Sequence, residues 1–215
     1  MMGSQGWVLA LPWLVAVAMT IWPTVLDIKY REVPEHFWVI GSKLGLAVSL
    51  VTYLELYPPQ LLAAYYGLSL LGAGVVGLAS LLGLMGPGDF WAALAVSLTL
   101  PAPLPGSLVI PPIYIVLLTA SLAELASRAI ISYRVCGSLS CLDGAVVPCS
   151  LLLRELKWWF PVTSRAVSEV PSEAVIRACP NANGQVKARP GLPYVAFILL
   201  ALPVSLAVEA LARVP

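Results

Sequence analysis

The chain has 215 residues, of which 60% are hydrophobic and only 11% are charged, and its formal net charge is +1. Soluble domains contain about 25% charged residues, so this composition excludes an ordinary soluble protein and predicts a multi-pass membrane protein. The sequence contains no Walker, Rossmann or nucleic-acid-binding motif, so we do not expect nucleic acid as a partner.

Six apolar segments are candidates for membrane-spanning helices, which need about 20 residues each. They cover residues 7–26, 35–57, 60–85, 89–104, 108–132 and 192–212. The fourth segment is short and ends in a proline-rich stretch, so a re-entrant segment is the alternative there. The predicted fold is an all-α membrane protein with six transmembrane helices and a cytoplasmic loop subdomain between helices 5 and 6. In this division residues 1–132 form helices 1–5, 133–190 the loop and 191–215 the last helix.

Basic residues are distributed unequally between the two predicted faces of the membrane. Nine of the 12 Lys and Arg residues lie in or next to segment 28–34, the turn at 86–89 or the loop 133–190. The positive-inside rule therefore makes that face cytoplasmic and places both termini outside the plasma membrane. If the fourth segment did not cross, the turn and the basic loop would lie on opposite sides, so this charge pattern favours six crossings.

Two aspartates occur at helix ends on the predicted cytoplasmic boundary. Asp27 ends the first predicted helix and Asp89 begins the fourth. A carboxylate inside hydrocarbon is costly, so its presence at a membrane boundary indicates a function.

The other acidic residues within the predicted spans have local explanations. Glu124 precedes Arg128 by four residues and Glu209 precedes Arg213 by four, the spacing of ion pairs on one helix face. Glu55 lies at an outer helix end and needs no partner.

A pair of carboxylates is what an aspartic protease requires. One carboxylate, deprotonated, takes a proton from water, while the protonated one supports the scissile carbonyl and then the leaving amine. Two such groups close together share a proton. The helix dipole favours an anion at Asp89, at a helix N-terminus, and disfavours one at Asp27, at a C-terminus. We therefore predict that Asp27 holds the shared proton.

The residues before Asp89 form the tetrapeptide GPGD, residues 86–89. Gly86 and Gly88 tolerate positive φ and leave room for another backbone, and Pro87 stiffens the turn. This predicts a turn that accepts an extended peptide beside the carboxylate. The alternative is a simple helix connector in which Asp89 is the N-cap.

Three motifs, in order, resemble one family. The stretch DIKYREVPEHFW, beginning at Asp27, resembles the D-[IL]-[KR]-x-R-x-[IV]-P-[DE]-x-x-W pattern of archaeal preflagellin and prepilin peptidases. GPGD matches the GxGD motif of that family, of bacterial type IV prepilin peptidases and of presenilin-like proteases. ARPGLPYVAFILL resembles the start of the family's last helix.

The resemblance implies a membrane aspartic endopeptidase without a metal or other cofactor. Its substrates would be archaellin or type IV pilin precursors, cut after a short basic leader at the cytoplasmic membrane boundary, among membrane lipids. The catalytic pair would be Asp27 and Asp89. The oligomeric state is not indicated.

The resemblance also suggests substrate-binding residues. The turn residues Gly86, Pro87 and Gly88 would shape the binding site. Glu32 and Glu35 are candidates for meeting the cations of the leader, and the alternative for both is a solvated surface charge.

Two departures from the bacterial members are visible. Phe90 and Trp91 follow GPGD where bacterial enzymes usually continue x-K, and the cytoplasmic CxxC segment is absent. An N-methyltransferase activity is therefore not expected. Two other functions remain: a presenilin-like intramembrane protease, which would favour tyrosine where Leu26 precedes Asp27, and a proton or cation transporter, which would favour internal repeats and mid-membrane helix breaks.

The four cysteines all fall in the loop 133–190: Cys136, Cys141, Cys149 and Cys179. Their spacing, C-x4-C-x7-C-x29-C, does not match the paired CxxC of zinc ribbons. Reduced thiols, two disulfides in any of three connectivities, and an irregular zinc site are the open alternatives.

Overall fold

The computed structural model describes residues 3–30, 33–82, 85–107, 109–139, 144–150, 159–161, 179–181, 183–190 and 192–212. The chain divides into two compact units. Unit 1 comprises Met1–Ser121 and Tyr194–Pro215, and unit 2 comprises Leu122–Pro193.

Six helices form in the described part of the chain. They are α1 (Gly3–Tyr30), α2 (Glu35–Leu54), α3 (Pro59–Leu81), α4 (Pro87–Thr99), α5 (Pro112–Cys136) and α6 (Tyr194–Leu211). Three of them begin at a proline, whose missing N–H is not needed in the first turn and whose fixed φ suits a helix start.

Five helices, α1, α2, α3, α5 and α6, are long and apolar enough to cross a membrane. Their outward faces are apolar too, as α3 illustrates. Leu71, Val75 and Leu78 follow one another at helical spacing, and each is more than half exposed. Large apolar side chains exposed in this pattern suit contact with lipid, so the protein is a multi-pass membrane protein.

The remaining helix, α4, is shorter than the sequence predicted. Its 13 residues span about 20 Å, less than the roughly 30 Å of a hydrocarbon core. The chain continues inside the protein without helical structure, and residues 100–104 are all buried. Non-helical backbone at membrane depth is tolerated only where protein satisfies its polar groups. Here Glu209 accepts the Leu104 N–H at 2.7 Å, and the Tyr57 hydroxyl donates to the Pro103 carbonyl at 2.6 Å.

Helix α4 lies at the centre of unit 1, in contact with α1, α2, α3 and α6. Ala92, Ala93, Ala95 and Val96 have no exposed surface. Small residues let neighbouring helices approach closely, as is common within membranes. A Cβ added to Gly45 of α2 would lie 3.0 Å from the Cβ of Thr99.

Helices α3 and α4 are antiparallel. The hydroxyl of Ser69 donates to the Ser97 carbonyl at 3.2 Å, and that of Ser97 donates to the Ser69 carbonyl at 3.0 Å. Gly77 follows Ser69 in α3, and Phe90 precedes Ser97 in α4. A Cβ on Gly77 would lie 2.9 Å from the Phe90 ring. These two contacts fix the register of α4 within the bundle.

Unit 2 contains a three-stranded antiparallel sheet in the order β1-β3-β2, formed by β1 (Ala145–Pro148), β2 (Trp159–Pro161) and β3 (Gln185–Pro190). Ala145 pairs with Ala188, and Phe160 pairs with Arg189. The Cys149–Cys179 disulfide joins the segment after β1 to the turn before β3.

Several sequence predictions change in this region. The all-α class was incomplete, because unit 2 contains a sheet whose strand β3 lies at the end of the predicted loop 133–190. The disulfide interpretation is confirmed for Cys149 and Cys179. The Cys136 side chain and Cys141 lie outside what the structure describes. No cluster of three metal-ligating side chains occurs among the residues described.

Candidate functional site

Both predicted catalytic aspartates lie in unit 1, on helices that contact each other. Asp27 was expected to end α1, but the helix continues to Tyr30, so Asp27 lies within the last turn. Asp89 is the third residue of α4. Both side chains are half-buried.

Two contacts show that α1 and α4 run in opposite directions. The Thr99 hydroxyl oxygen, at the end of α4, lies 3.6 Å from the Met19 sulfur. Leu104, beyond the end of α4, lines a groove together with Leu9 and Trp13, which precede Met19 in α1. Moving forward past the end of α4 therefore means moving backward along α1.

This antiparallel register puts the two aspartates at the same end of the bundle. Asp27 follows Met19 by eight residues, or about 12 Å of helix, and Asp89 precedes Thr99 by ten residues, or about 15 Å. Each aspartate thus lies about two to three helical turns from the contact between Met19 and Thr99, toward the same end. We call this end of unit 1 the aspartate end.

The GPGD turn holds the Asp89 carboxylate in a capping arrangement. Gly86, with extended backbone (φ −76°, ψ 154°), is the N-cap of α4, and Pro87 is the first helical residue. The Asp89 Oδ2 accepts the Gly86 N–H at 2.9 Å, and the Asp89 N–H donates to the Gly86 carbonyl at 3.1 Å. The alternative in which Asp89 is the N-cap was therefore wrong, since Asp89 is the reciprocal partner of the cap.

The two glycines of the turn do not use positive φ. Within the described residues the positive-φ glycines are Gly106, Gly137 and Gly144. A Cβ on Gly86 would lie 3.4 Å from the Asp89 Oδ2, whereas a Cβ on Gly88 would meet nothing within 4 Å. The turn thus has free space beside Gly88, one residue from the carboxylate, and its backbone is unstrained.

The end of α1 is tied to the start of α6. The Thr24 hydroxyl, three residues before Asp27, donates to the Val195 carbonyl at 3.4 Å. The cation that follows Asp27, Lys29, is exposed, with its ammonium 5.0 Å from the Tyr30 ring centroid. Asp27 therefore lies between a packed helix junction and an exposed basic helix end.

Of the two glutamates suggested as contacts for the substrate's cations, the structure describes Glu35. Glu35 is the first residue of α2 and is exposed, as a solvated charge or a substrate contact would be. Glu32 lies outside the described residues.

The predicted partners of the other span glutamates are confirmed in one case. Arg128 and Glu124 form an i,i+4 ion pair at 2.6 Å. Glu209 is fully buried and accepts the Leu104 N–H, while Arg213 lies outside the described residues. One sequence signal could have found this contact: in the segment PAPLP only Ala102 and Leu104 have a backbone N–H, and a buried N–H needs an acceptor.

Comparison with known proteins identifies the family. A sequence profile described as the type IV leader peptidase family matches residues 13–127, a region that includes Asp27, the GPGD turn and most of unit 1. No curated protein and no solved structure matches the chain. Because the profile covers more than half of the sequence, the chain belongs to the type IV leader peptidase family and is a membrane peptidase.

Proposed function

We propose that this protein is an aspartic endopeptidase that removes short basic leader peptides from archaellin or type IV pilin precursors at the cytoplasmic boundary of the plasma membrane. Family membership supports a leader peptidase with pilin-like precursors as substrates. The observation that supports the aspartic mechanism is that Asp27 and Asp89 lie at the same end of the bundle.

The two carboxyl groups divide the hydrolytic work. The ionised one takes a proton from water, and the water oxygen forms a new C–O bond with the scissile carbonyl carbon. The C–N bond then breaks, and the leaving nitrogen receives a proton from the acidic member of the pair. The helix N-terminus favours the anion at Asp89, which makes Asp27 the proton carrier in the resting enzyme.

The turn before Asp89 supports recognition of an extended peptide. The Gly86 N–H fixes one oxygen of the carboxylate, and the space beside Gly88 leaves room for a substrate backbone. In our proposal the hydrophobic helix of the precursor lies against the bundle, and its leader junction reaches Asp27 and Asp89. Glu35 and Glu32 are the proposed contacts for the cations of the leader.

The short helix α4 supports a sixth crossing. Its helical part of about 20 Å and the five buried residues that follow, at up to about 3.3 Å each, together reach the thickness of a hydrocarbon core. With six crossings, the aspartate end faces the cytoplasm and the opposite end faces outward.

Cleavage of a defined precursor tests the proposal. We expect membranes with the wild-type chain to remove the leader from an archaellin or pilin precursor with a Lys/Arg-Gly junction. Asp27→Asn and Asp89→Asn should leave the precursor intact, because each removes one member of the acid–base pair. Glu55→Gln is a matched control, since Glu55 is an exposed carboxylate at the far end of α2, and it should cleave normally. Cleavage that persists in either asparagine variant would contradict the mechanism.

The position of the cut separates the remaining alternatives. Mass spectrometry of the product should find its N-terminus at the junction before the hydrophobic helix. A cut within that helix would indicate a presenilin-like protease, and no cut at all would contradict the proposed substrates. The archaellin and pilin precursors are compared side by side to define the substrate.

Labelling of single introduced cysteines tests the proposed orientation. Lys29→Cys lies at the aspartate end and Glu55→Cys at the opposite end of the adjacent helix, and both positions are exposed. A membrane-impermeant maleimide should label Glu55→Cys in intact cells and Lys29→Cys only in inverted vesicles. The reverse pattern would place the aspartate end outside.

A further inference from the structure

We propose that Trp38 and Ser42 of α2 form a buried water-binding site next to the aspartate end. The role of this water as a source for hydrolysis rests on the proposed function, but its presence does not. Proteins contain buried waters where otherwise unsatisfied polar groups converge, and each such water makes about three hydrogen bonds.

The two side chains are buried polar groups without a partner among the described residues. Trp38 is 1% exposed and Ser42 is 8% exposed. Neither the indole N–H of Trp38 nor the hydroxyl of Ser42 makes a hydrogen bond there. A buried donor left unsatisfied costs about 1–3 kcal/mol, so a bound ligand that accepts from it is favoured.

The spacing of the pair suits one small ligand. Residues four apart on a helix lie on one face, with Cβ atoms about 5–6 Å apart. A single water between them can accept from the indole and exchange a hydrogen bond with the hydroxyl.

The Ser42 hydroxyl, unlike the hydroxyls of Thr20 and Thr99, does not donate to the backbone of its own helix. Thr20 donates to the Ala16 carbonyl and Thr99 to the Ala95 carbonyl, each four residues earlier. Ser42 makes no such bond to the carbonyl of Trp38. Its hydroxyl is therefore available for a ligand.

The pair lies on the side of α2 that faces α4. Trp38 and Gly45 are seven residues apart, two turns of helix, so they share a face, and Gly45 packs on Thr99 of α4. Trp38 also belongs to the same apolar core as Phe90 and Trp91, the two residues after Asp89.

The pair lies in the half of α2 that is nearer to the aspartate end. Trp38 is the fourth residue of α2, which begins at that end with Glu35, and Asp89 is the third residue of α4, which begins there too. A water held by the pair therefore lies toward the end of the bundle that carries both aspartates.

A second tryptophan of the bundle provides a matched comparison. Trp13 of α1 is also buried, at 4% exposure, and its indole N–H also has no partner among the described residues. However, the residue four positions later is Val17, and both side chains line an apolar groove of about 320 Å³. The lining of this groove has no second polar side chain to hold a water, so we expect no bound water at Trp13.

Water contact at each indole can be measured by NMR on the full-length protein in detergent. With ¹⁵N-labelled tryptophan, Trp38→Phe and Trp13→Phe each remove one indole signal and so assign it. In the wild type, a dipolar cross-peak to water is expected for the Trp38 indole proton and not for that of Trp13. Ser42→Ala should shift the Trp38 signal and remove the cross-peak. If the wild-type Trp38 proton shows no water contact, the site does not exist.

Kinetics test the link to hydrolysis separately. Trp38→Phe and Ser42→Ala should lower kcat by about tenfold with little change in KM, because they disturb a water and not substrate binding. Trp13→Phe should leave both constants unchanged. A water cross-peak with unaltered kcat in Ser42→Ala would refute the hydrolytic role while leaving the site. Absence of cleavage by the wild type would instead contradict the proposed function. If Trp38→Phe does not fold, Ser42→Ala decides both points.

Discussion

The two ends of the unit 1 bundle differ in how they hold their carboxylates. At the aspartate end, Asp27 and Asp89 are half-buried, and free space adjoins Gly88. At the opposite end, which we call the glutamate end, Glu209 has no exposed surface and accepts the Leu104 N–H.

Under the proposed function, this difference separates a reactive arrangement from a structural one. A peptidase carboxylate must reach water and a substrate backbone, which partial exposure permits. The glutamate end has to bury five non-helical residues, 100–104, and therefore needs acceptors and donors for their backbone. Glu209 and Tyr57 supply them. In the proposed mechanism, similar side chains thus have different uses at the two ends, according to what surrounds them.

Replacing the buried glutamate should give the largest loss of stability. Glu209→Ala leaves the Leu104 N–H without its acceptor, and we expect the free energy of unfolding to fall by about 2–3 kcal/mol. Glu209→Gln keeps an acceptor oxygen and should cost less than about 1 kcal/mol. Thermal unfolding in detergent measures both variants.

The activity of the same variants is the control. Leader cleavage per folded molecule should remain at the wild-type level, since the glutamate end lies far from Asp89. A loss of cleavage in Glu209→Gln at unchanged stability would show that the two ends are not functionally separate.

Crowding the contact between α2 and α4, part-way along the bundle, should have the next largest effect. A methyl group on Gly45 would lie 3.0 Å from the Cβ of Thr99, whose hydroxyl is bonded to the Ala95 carbonyl and whose side chain is fully buried. Gly45→Ala should therefore lower the free energy of unfolding by about 2 kcal/mol through overpacking. Gly74→Ala is the control, because a Cβ there meets nothing within 4 Å. Equal stability of the two variants would mean that α2 and α4 pack less closely than described.

A methyl group at the aspartate end should affect activity and not stability. A Cβ on Gly88 meets nothing within 4 Å, so Gly88→Ala should fold normally. If the substrate backbone occupies that space, kcat/KM should fall by about tenfold, equivalent to about 1.4 kcal/mol. Gly67→Ala on α3, equally open, should leave kcat/KM unchanged. Normal cleavage by Gly88→Ala would place the substrate elsewhere.

The sequence predicted the aspartate end better than the glutamate end, for a physical reason. Apolar runs of membrane-spanning length are a local signal, and counting them is enough to place Asp27 and Asp89 at one face. The match of the family profile to residues 13–127 confirms the resemblance inferred from DIKYREVPEHFW and GPGD.

The features that the sequence did not predict depend on distant partners. Glu209 bonds to Leu104, 105 residues away, whereas helical spacing suggests only a local partner. The length of α4 was overestimated because the buried stretch 100–104 is apolar whether or not it is helical. Strand β3 has Val186 as its only β-branched residue and no aromatic one, and it becomes a strand by pairing with both β1 and β2.

The tyrosines of the glutamate end give the smallest expected effect and the most specific one. The Tyr57 hydroxyl donates to the Pro103 carbonyl at 2.6 Å, so Tyr57→Phe should lower the free energy of unfolding by about 1 kcal/mol. Tyr53 is fully buried one turn earlier, and its hydroxyl has no hydrogen-bond partner among the described residues. Tyr53→Phe removes the same atom without breaking a bond, so stability should stay equal or rise. If both variants lose the same stability, burial and not the bond to Pro103 holds the non-helical segment in place.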